Sequence, residues 1–490
     1  MKSRQQYFGM YAWPLFAVCQ VLFAFFSFSH AEIIPSERLE ATAYLKNQYL
    51  LEDNRDLGMR DDDPSRSFTV EGRGAFGYRP YDDLLLFAEG RFVKINGDRF
   101  VDTTTGQSFG GEDFLELRQF YALHTLNNVT PHLNVQIGRQ RIREPYGLWW
   151  NRDQDAVRLN YDTTQFSGFF AIGENLASYR TGNNDFRDDE ENRFRIMAEG
   201  SWLLPRYHHI DLRALYEYDY SGTPETGRLI EATNRDDEDH RLLWGGLRLT
   251  GGPQPVSVIK GDKNILLSYR ADLAGVAGHA DNLQAASVGD GRQRRVDGVN
   301  NVDVLGWAFD GQIDLAFEEL LFRPVLTVGY AYGSGDNNQG AGGTDNHFRQ
   351  SDLQSNLSPI AGTRRLAYNY GEVLRPELSN LHIAKAGLTF GLTPATDFSM
   401  MYYRYRLADN GSPLRSSRIR QRTGGDSHDV GQELDVYLTS DLEQQFDFDL
   451  PLARTLQFRS SLGLFKAGDA YQSAEDEIAV RGLAELVVRF

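Results

Sequence analysis

Asp211-Leu212-Arg213-Ala214-Leu215-Tyr216-Glu217-Tyr218-Asp219-Tyr220 alternates with a period of two. Leu212, Ala214, Tyr216, Tyr218 and Tyr220 fall on one side, and Asp211, Arg213, Glu217 and Asp219 on the other. Successive side chains of a strand point to opposite faces, so this stretch predicts a strand with one apolar and one ionic face. The same reading extends outward from it. Ile265, Leu267, Tyr269, Ala271 and Leu273 oppose Ser268, Arg270 and Asp272. Phe194, Ile196, Ala198 and Trp202 oppose Arg195, Glu199 and Ser201, and Met401, Tyr403, Tyr405 and Leu407 oppose Arg404 and Arg406.

A single alternating strand fits a soluble sandwich as well as a membrane barrel; the whole set separates them. About eighteen such segments follow one another along the chain. They lie near 39–51, 67–79, 84–94, 113–126, 131–140, 155–161, 166–174, 193–203, 208–220, 240–249, 263–276, 302–315, 322–333, 379–392, 397–408, 430–440, 455–466 and 478–490. Many are about 10–13 residues long, enough for tilted strands to cross ~25 Å of hydrocarbon. Globular strands average about five or six. The connections alternate as well: 80–83, 127–130, 162–165, 204–207 and 393–396 read as tight turns, whereas 175–192, 221–239, 279–301 and 334–379 are long and polar. The expected fold is therefore all-β, a single transmembrane antiparallel β-barrel of about 18 strands with short periplasmic turns and long extracellular loops. Its last strand runs through Val480, Gly482, Ala484, Leu486 and Val488 to a terminal Phe490, which fits a barrel-assembly signal.

Composition agrees. The 490 residues include 30 Phe, 24 Tyr and 6 Trp, too many for a chain unable to build a core, and carry a net charge of −17. Beyond the N-terminus no run of about 18 apolar residues occurs, which excludes a helical membrane protein. At the N-terminus, Lys2 and Arg4 precede an uncharged apolar stretch and then Ser29-His30-Ala31. This is the pattern of a signal peptide, residues 1–31, cleaved after Ala31, leaving 32–490 as the barrel in the bacterial cell outer membrane. The single cysteine, Cys19, leaves with it, so the mature chain has no catalytic thiol, thiolate metal site or disulfide.

The inward face then carries the residues to weigh. Parity places Lys46, Arg73, Arg91, Arg118, Arg195, Arg213, Arg248, Arg270, Arg404, Arg406 and Arg459 there, with Glu71, Glu89, Glu116, Glu199, Asp211, Glu217, Asp272, Asp310, Glu433 and Asp435. Cross-strand ion pairs filling a wide lumen explain such a list; a net basic constriction selecting an anion explains it equally. One segment conflicts with parity. Leu133, Val135 and Ile137 face lipid, which would send Arg139 and Arg141 there too, unless a bulge near Gly138 shifts the register or the arginines lie past the membrane edge. No enzyme is expected: His208-His209 and Asp426-Ser427-His428-Asp429 are sequence neighbours rather than a spaced triad. No phosphate loop, zinc spacing or dinucleotide fingerprint occurs, so no cofactor, metal or nucleic-acid partner is assigned. The acidic runs Asp61-Asp62-Asp63, Asp188-Asp189-Glu190-Glu191 and Asp236-Asp237-Glu238-Asp239 read as solvated loops.

Several stretches carry a resemblance. Asn54-Arg55-Asp56-Leu57-Gly58, Gly138-Arg139-Gln140-Arg141-Ile142-Arg143-Glu144, Ser178-Tyr179-Arg180-Thr181, Gly362-Thr363-Arg364, Glu377-Leu378-Ser379-Asn380-Leu381, Gly431-Gln432-Glu433-Leu434-Asp435 and Leu464-Phe465-Lys466-Ala467-Gly468-Asp469-Ala470-Tyr471 keep their order from first strand to last. Together they resemble the alginate-export outer-membrane protein family. The resemblance implies an 18-stranded monomeric barrel that exports alginate, a polyuronate, through an arginine-rich constriction, together with a periplasmic scaffold of an exopolysaccharide export complex. Carried over by position, the constriction residues are Lys46, Arg73, Arg118, Arg141 and Arg459, with Arg364 or Arg365. Three positions depart from the family pattern: Leu357 and Ser461 stand in place of basic residues and Gly182 in place of an acidic one. The second external loop, about 94–113, and the last periplasmic turn, about 441–454, are shorter than the plugs that gate the family's pore. The alternatives are an anion-selective uptake porin for acidic oligosaccharides and, from another class, an outer-membrane hydrolase or adhesin.

Overall fold

The computed structural model describes residues 38–59, 64–177, 179–181, 192–231, 238–256, 265–288, 293–336, 343–447 and 453–490. The segment expected to be a signal peptide, residues 1–31, and Gly182, Asp61–Asp63, Asp188–Glu191 and Asp236–Asp237 lie outside them. Eighteen long strands form the wall. The first nine are β1 (Leu39–Asp53), β2 (Ser65–Tyr81), β3 (Leu84–Gly97), β4 (Phe114–Thr125), β5 (Leu133–Arg143), β6 (Asn151–Asp162), β7 (Phe166–Gly173), β8 (Arg193–Leu204) and β9 (His208–Asp219). The rest are β10 (Glu238–Val256), β11 (Ile265–Val288), β12 (Gln293–Phe317), β13 (Val325–Gly333), β14 (Leu381–Thr393), β15 (Thr396–Leu407), β16 (Asp429–Asp441), β17 (Thr455–Ala467) and β18 (Ile478–Arg489). Each pairs antiparallel with its sequence neighbours, and β18 pairs with β1 from Tyr44↔Arg489 to Asp53↔Val480, closing the sheet. Closure satisfies every edge, the condition for a sheet to stand in lipid.

All eighteen expected segments overlap these strands, because one face of each is written for hydrocarbon. Leu212, Leu247, Leu273, Leu305, Ile313 and Val328 stand exposed on the outside, while Asp211, Arg213, Glu217, Arg248, Arg270 and Asp272 are buried on the inside. Two expectations need correction. The stretch 279–301 is not a loop: β11 continues to Val288 and β12 starts at Gln293, paired from Ile265↔Phe317 out to Val288↔Gln293. Residues such as His279, Asp281, Asn300 and Asp303 show no apolar face, yet backbone pairing needs none once both faces are wet.

The second correction concerns β15. Tyr403 and Tyr405 are buried and point inward, Tyr405 donating its hydroxyl to the Tyr370 carbonyl at 3.0 Å. Arg404 and Arg406 therefore face outward, contrary to parity, and Arg404 pairs with Asp429 at 2.6 Å. The barrel interior opposite β15 is filled by protein rather than water, so its inner face is the apolar one.

At Arg139 and Arg141 no register shift occurs: β5 pairs continuously with β6 from Leu133↔Tyr161 to Arg143↔Asn151 and with β4 through Gly138. Gly138 has φ +122°, and a Cβ there would stand 2.3 Å from the Phe120 carbonyl oxygen. Ile137 is exposed while Gln136, Gln140 and Ile142 are buried, so the alternation runs on through Gly138; Arg139 pairs with Asp155 at 3.6 Å and lies over the Tyr179 ring. Gly138→Ala combines a clash with a backbone region that L residues avoid, a cost of about 1–3 kcal/mol. The expected readout is a lower temperature for loss of the compact, fast-migrating barrel in unheated gel electrophoresis.

Candidate functional site

The connection between β3 and β4 folds into the barrel. Residues Arg99–Val101 pair with Ser108–Gly110, and the turn between them is shaped by Asp102. Its Oδ1 accepts the Thr104 N–H at 2.9 Å and its carbonyl the Gly106 N–H at 2.7 Å. The wall holds this turn from both sides. From β1, Gln48 Nε2 donates to the Val101 carbonyl at 3.0 Å. From β5 and β6, Arg141 Nη2 and Asn151 Nδ2 donate to the Thr104 carbonyl at 2.9 and 2.8 Å. The segment is tied to strands from β1 to β6 and forms a bar inside the lumen.

Around the bar lies a belt of charge. Lys46 meets Glu71 at 2.8 Å and Glu485 at 3.5 Å. Arg73 meets Glu71 at 2.5 Å and Asp102 at 3.2 Å. Arg118 meets Asp153 at 3.1 Å and both Asp102 and Glu89 at 3.7 Å. Arg91 reaches Asp102 at 2.7 Å and is also paired with Glu116. Burial by itself raises the Asp102 carboxyl, but Arg73, Arg118, Arg91 and Lys46 hold it well below the usual carboxylate range. These four cations are thus compensated inside the closed structure.

Three other expected residues make no direct ion pair, although Asp153 stands opposite Arg141 and Glu485 opposite Arg459 in the sheet. Among the described residues no carboxylate lies within ion-pair distance of Arg141, Arg365 or Arg459. Arg141 binds Asn151 Oδ1 at 3.0 Å through Nε, and Arg459 Nε binds Gln457 Oε1 at 2.5 Å. Arg365 donates to the carbonyls of Ser460 at 2.7 Å and Leu438 at 3.3 Å, with its guanidinium 5.2 Å over the Tyr437 ring. Arg365 Nε, Thr439 Oγ1 and Ser461 Oγ are buried without a hydrogen-bond partner. Thr439 faces Arg459 across β16 and β17, and Ser461 stands two residues on. Ser461 therefore belongs to the same patch. Arg364 stands apart: it is mostly exposed and paired with Asp441 at the turn end of β16.

The far side of the barrel is dry. Trp149, Trp150, Phe348, Leu353, Tyr370, Val373, Leu374 and Tyr405 belong to one packed cluster that joins the 334–380 connection to the wall. Glu433 on β16 accepts the N–H groups of Val373 at 2.6 Å and Leu374 at 3.0 Å, and Asp435 accepts that of Glu372 at 3.0 Å. Leu357, the other departure from the family pattern, is buried in this connection. At its edge Glu144 is fully enclosed, 2.6 Å from Arg248 and accepting the N–H groups of Tyr146 at 2.8 Å and Leu148 at 2.5 Å. Burial pushes the Glu144 carboxyl up, but Arg248, Arg213 and the Tyr146 N–H bring it down to about 2. A carboxyl depressed on folding stabilises above its unfolded value near 4.5, and that stabilisation is lost as pH falls through about 2. The compact barrel is expected to lose about 3 kcal/mol from this group over that window. Glu144→Gln should flatten that part of the acid-unfolding curve, followed by gel migration from pH 5 downward.

The enzymatic candidates are occupied locally. His428 Nδ1 lies 2.9 Å from the Leu407 carbonyl, Ser427 Oγ accepts the Asp429 N–H at 3.1 Å, and His208 Nδ1 lies 2.6 Å from the Tyr269 hydroxyl. Asp336, Asp345 and His347 bring one ligand atom each within 4.8 Å, but Asp345 is already held by Arg349 at 2.5 Å.

Sequence reasoning missed Asp102 and Asp153. Asp102 sits in Phe100-Val101-Asp102-Thr103-Thr104-Thr105-Gly106, where an apolar pair before an Asx-type turn signalled a buried tip. Asp153 lies on a strand whose parity reading began only at 155.

Comparison with known proteins places this geometry in context. The family model for alginate export matches residues 38–484. The alginate production protein AlgE of Pseudomonas aeruginosa is 26% identical over 460 residues, covering 90% of this chain and 89% of its own. AlgE of Pseudomonas syringae pv. tomato is 25% identical over 476 residues, covering 90% and 91%. Among solved structures, Pseudomonas aeruginosa OccK8 (OprE) superposes with a TM-score of 0.51 at 14% identity, covering 93% of this chain and 98% of that one. Acinetobacter baumannii OccAB1 gives 0.51 at 10% identity, covering 92% and 96%. These two structures share the barrel fold.

Proposed function

The chain belongs to the alginate-export family, and from that premise we propose that it is an outer-membrane porin conducting alginate out of the periplasm along its basic belt. The observation that carries this reading is the patch of Arg365 and Arg459, two cations that face Glu485 without a direct ion pair, beside buried polar atoms without partners. An unpaired buried donor costs about 1–3 kcal/mol. A uronate supplies what the patch lacks: a carboxylate for the guanidinium groups and hydroxyls for Thr439 and Ser461. Lys46, Arg73, Arg118 and Arg141 continue the path along β1 to β5, and Arg364 marks the turn-side rim. Contacts spread over several cations keep each one weak, so a polymer is recognised without being trapped.

The pore is passive, so the place of synthesis sets the direction. A periplasmic scaffold would deliver polymer to the turn side of a monomeric barrel, and no residue is given a catalytic role. In a host that makes the polymer but lacks its own exporter, expression of this chain is expected to return polymer to the medium. Polymer retained in the periplasm despite a folded barrel in the outer membrane would overturn the reading.

A further inference from the structure

We propose that the outer face at the extracellular ends of β15, β16 and β17 docks a phosphorylated glycolipid of the outer leaflet, with Arg404, Arg406 and Lys466 binding its phosphates. The site lies on the outside of the wall, so the identity of the solute in the lumen does not enter.

The outward turn of Arg404 and Arg406 puts charge on a face that is otherwise written for hydrocarbon. The sheet register gathers it into one patch. Arg404 stands opposite Gln432 on β16, and Gln432 opposite Lys466 on β17. Adjacent strands lie ~4.8 Å apart, so the backbone positions of Arg404 and Lys466 are about 10 Å from each other. Two residues nearer the membrane centre, Tyr402, Leu434 and Leu464 are exposed on the same face, and Leu388 and Leu462 continue it. On the other flank the border is aromatic. Tyr332 stands opposite His382 and His382 opposite Arg406, with ring centroids 4.8 Å apart for Tyr332 and His382 and 4.7 Å for Trp307 and Tyr332. Such a belt marks the level where hydrocarbon gives way to lipid head groups. The three cations therefore stand at head-group depth above an apolar surface.

Donors remain for a ligand. Arg404 gives Nη2 to Asp429 at 2.6 Å, and Lys466 pairs with Asp476 at 2.6 Å. Both pairs are solvent-accessible, and exposed pairs of this kind hold little energy. Asp429 stands opposite Arg406 but gives its carboxylate to Arg404; among the described residues Arg406 makes no ion pair or side-chain hydrogen bond. The Tyr402 hydroxyl donates to Gln432 Oε1 at 2.8 Å, which turns the Gln432 amide nitrogen into a further donor between the cations. Three cations thus face two carboxylates in a chain whose net charge is −17. A phosphate monoester brings nearly two negative charges and three acceptor oxygens, a match for forked guanidinium donors. A soluble anion would satisfy the cations and leave Leu434, Leu462 and Leu464 uncovered. An amphiphile with phosphates on its head group and acyl chains below covers both, and the extracellular end of the strands selects the outer leaflet.

The test titrates the full-length barrel in detergent with bisphosphorylated lipid A, dephosphorylated lipid A and phosphatidylglycerol, and counts bound lipid by native mass spectrometry. Bisphosphorylated lipid A is expected to bind wild type roughly tenfold more tightly than the double variant Arg406→Gln with Lys466→Gln. Dephosphorylated lipid A is expected to bind both alike. Arg406→Lys with Lys466→Arg keeps both charges and is expected to retain tight binding. Arg206→Gln with Arg323→Gln removes two exposed charges at the periplasmic turns and is expected to behave as wild type. Arg406→Gln alone disturbs no partner and is expected to lose part of the affinity, and gel migration verifies that each variant is folded. Equal affinity of wild type and the Arg406→Gln, Lys466→Gln variant for bisphosphorylated lipid A would overturn the proposal, as would an equal loss in the periplasmic variant. Phosphatidylglycerol binding as tightly as lipid A, with the same dependence on Arg406 and Lys466, would overturn the choice of a glycolipid.

Discussion

Arg459→Glu is expected to weaken block by an oligouronate roughly 20- to 30-fold and to move the reversal potential in a salt gradient toward cation selectivity. Arg459 makes no direct ion pair, although Glu485 faces it across β17 and β18, so its guanidinium has donors left for cargo, and the same holds for its neighbour Arg365. In a water-filled passage a cation and a carboxylate at ~4 Å attract by about 1 kcal/mol. Reversing the sign turns that attraction into a repulsion, a change of about 2 kcal/mol in a contact where 1.4 kcal/mol is tenfold. The same reversal at Arg118 acts differently. Arg118 already serves Asp153 and Asp102, so Arg118→Glu should disturb the bar across the lumen as well as selectivity. Comparing the two variants separates a cation that meets cargo from one that holds the wall together. Unchanged reversal potential and block in Arg459→Glu would remove that residue from the conduction path.

The second large effect concerns stability. Arg248 is fully buried between Glu144 at 2.6 Å and Asp272, with which it is also paired. Asp272 further accepts the Trp149 indole N–H at 3.1 Å, so this arginine joins the wall to the connection that fills the dry side. Arg248→Met leaves two buried carboxylates with only the more distant Arg213, 3.8 Å from Asp272, to offset them. Removing one partner from a buried pair costs about 3–5 kcal/mol, more than the pair itself contributes relative to apolar residues. The expected result is a large fall in the temperature at which the compact form is lost. Arg248→Lys, which keeps the charge but cannot serve both carboxylates with a planar fork, is expected to fall between. A variant Arg248→Met as heat-resistant as wild type would show that the dry side is held by packing alone.

The barrel was readable from sequence because hydrocarbon imposes a simple rule: every second residue of a spanning strand is apolar. Leu212 to Tyr220 obeys it, and so does nearly every wall strand. The rule fails where the environment changes. In β15, Tyr403 and Tyr405 are apolar because they face the packed 334–380 connection, and the same alternation was read inside out. Beyond the membrane, β11 and β12 continue as a wet hairpin that no apolar stripe announces. At Gly138 a positive φ lets the backbone approach β4 closely, but the pairing on either side keeps its register, so the expected shift is not found there.

The site was legible in part. Lys46, Arg73, Arg118 and Arg459 follow from parity alone, and Arg141 only from the resemblance. Which cations are free and which are neutralised was not legible, because Asp102 and Glu485 reach them from elements distant in sequence. Arg365 shows the difference most clearly. Its neighbour Arg364 has the same residue type in the same connection, yet one is buried against Tyr437 and the other is exposed beside Asp441.

The most direct test of a uronate conduit is single-channel recording of the reconstituted barrel, titrated with oligomannuronate and with a neutral oligosaccharide of equal length. Anion selectivity, with block by the uronate at concentrations where the neutral sugar has no effect, is the expected result. Cation selectivity, or equal block by both sugars, would leave the barrel intact and contradict its assignment as a passage for an acidic polysaccharide.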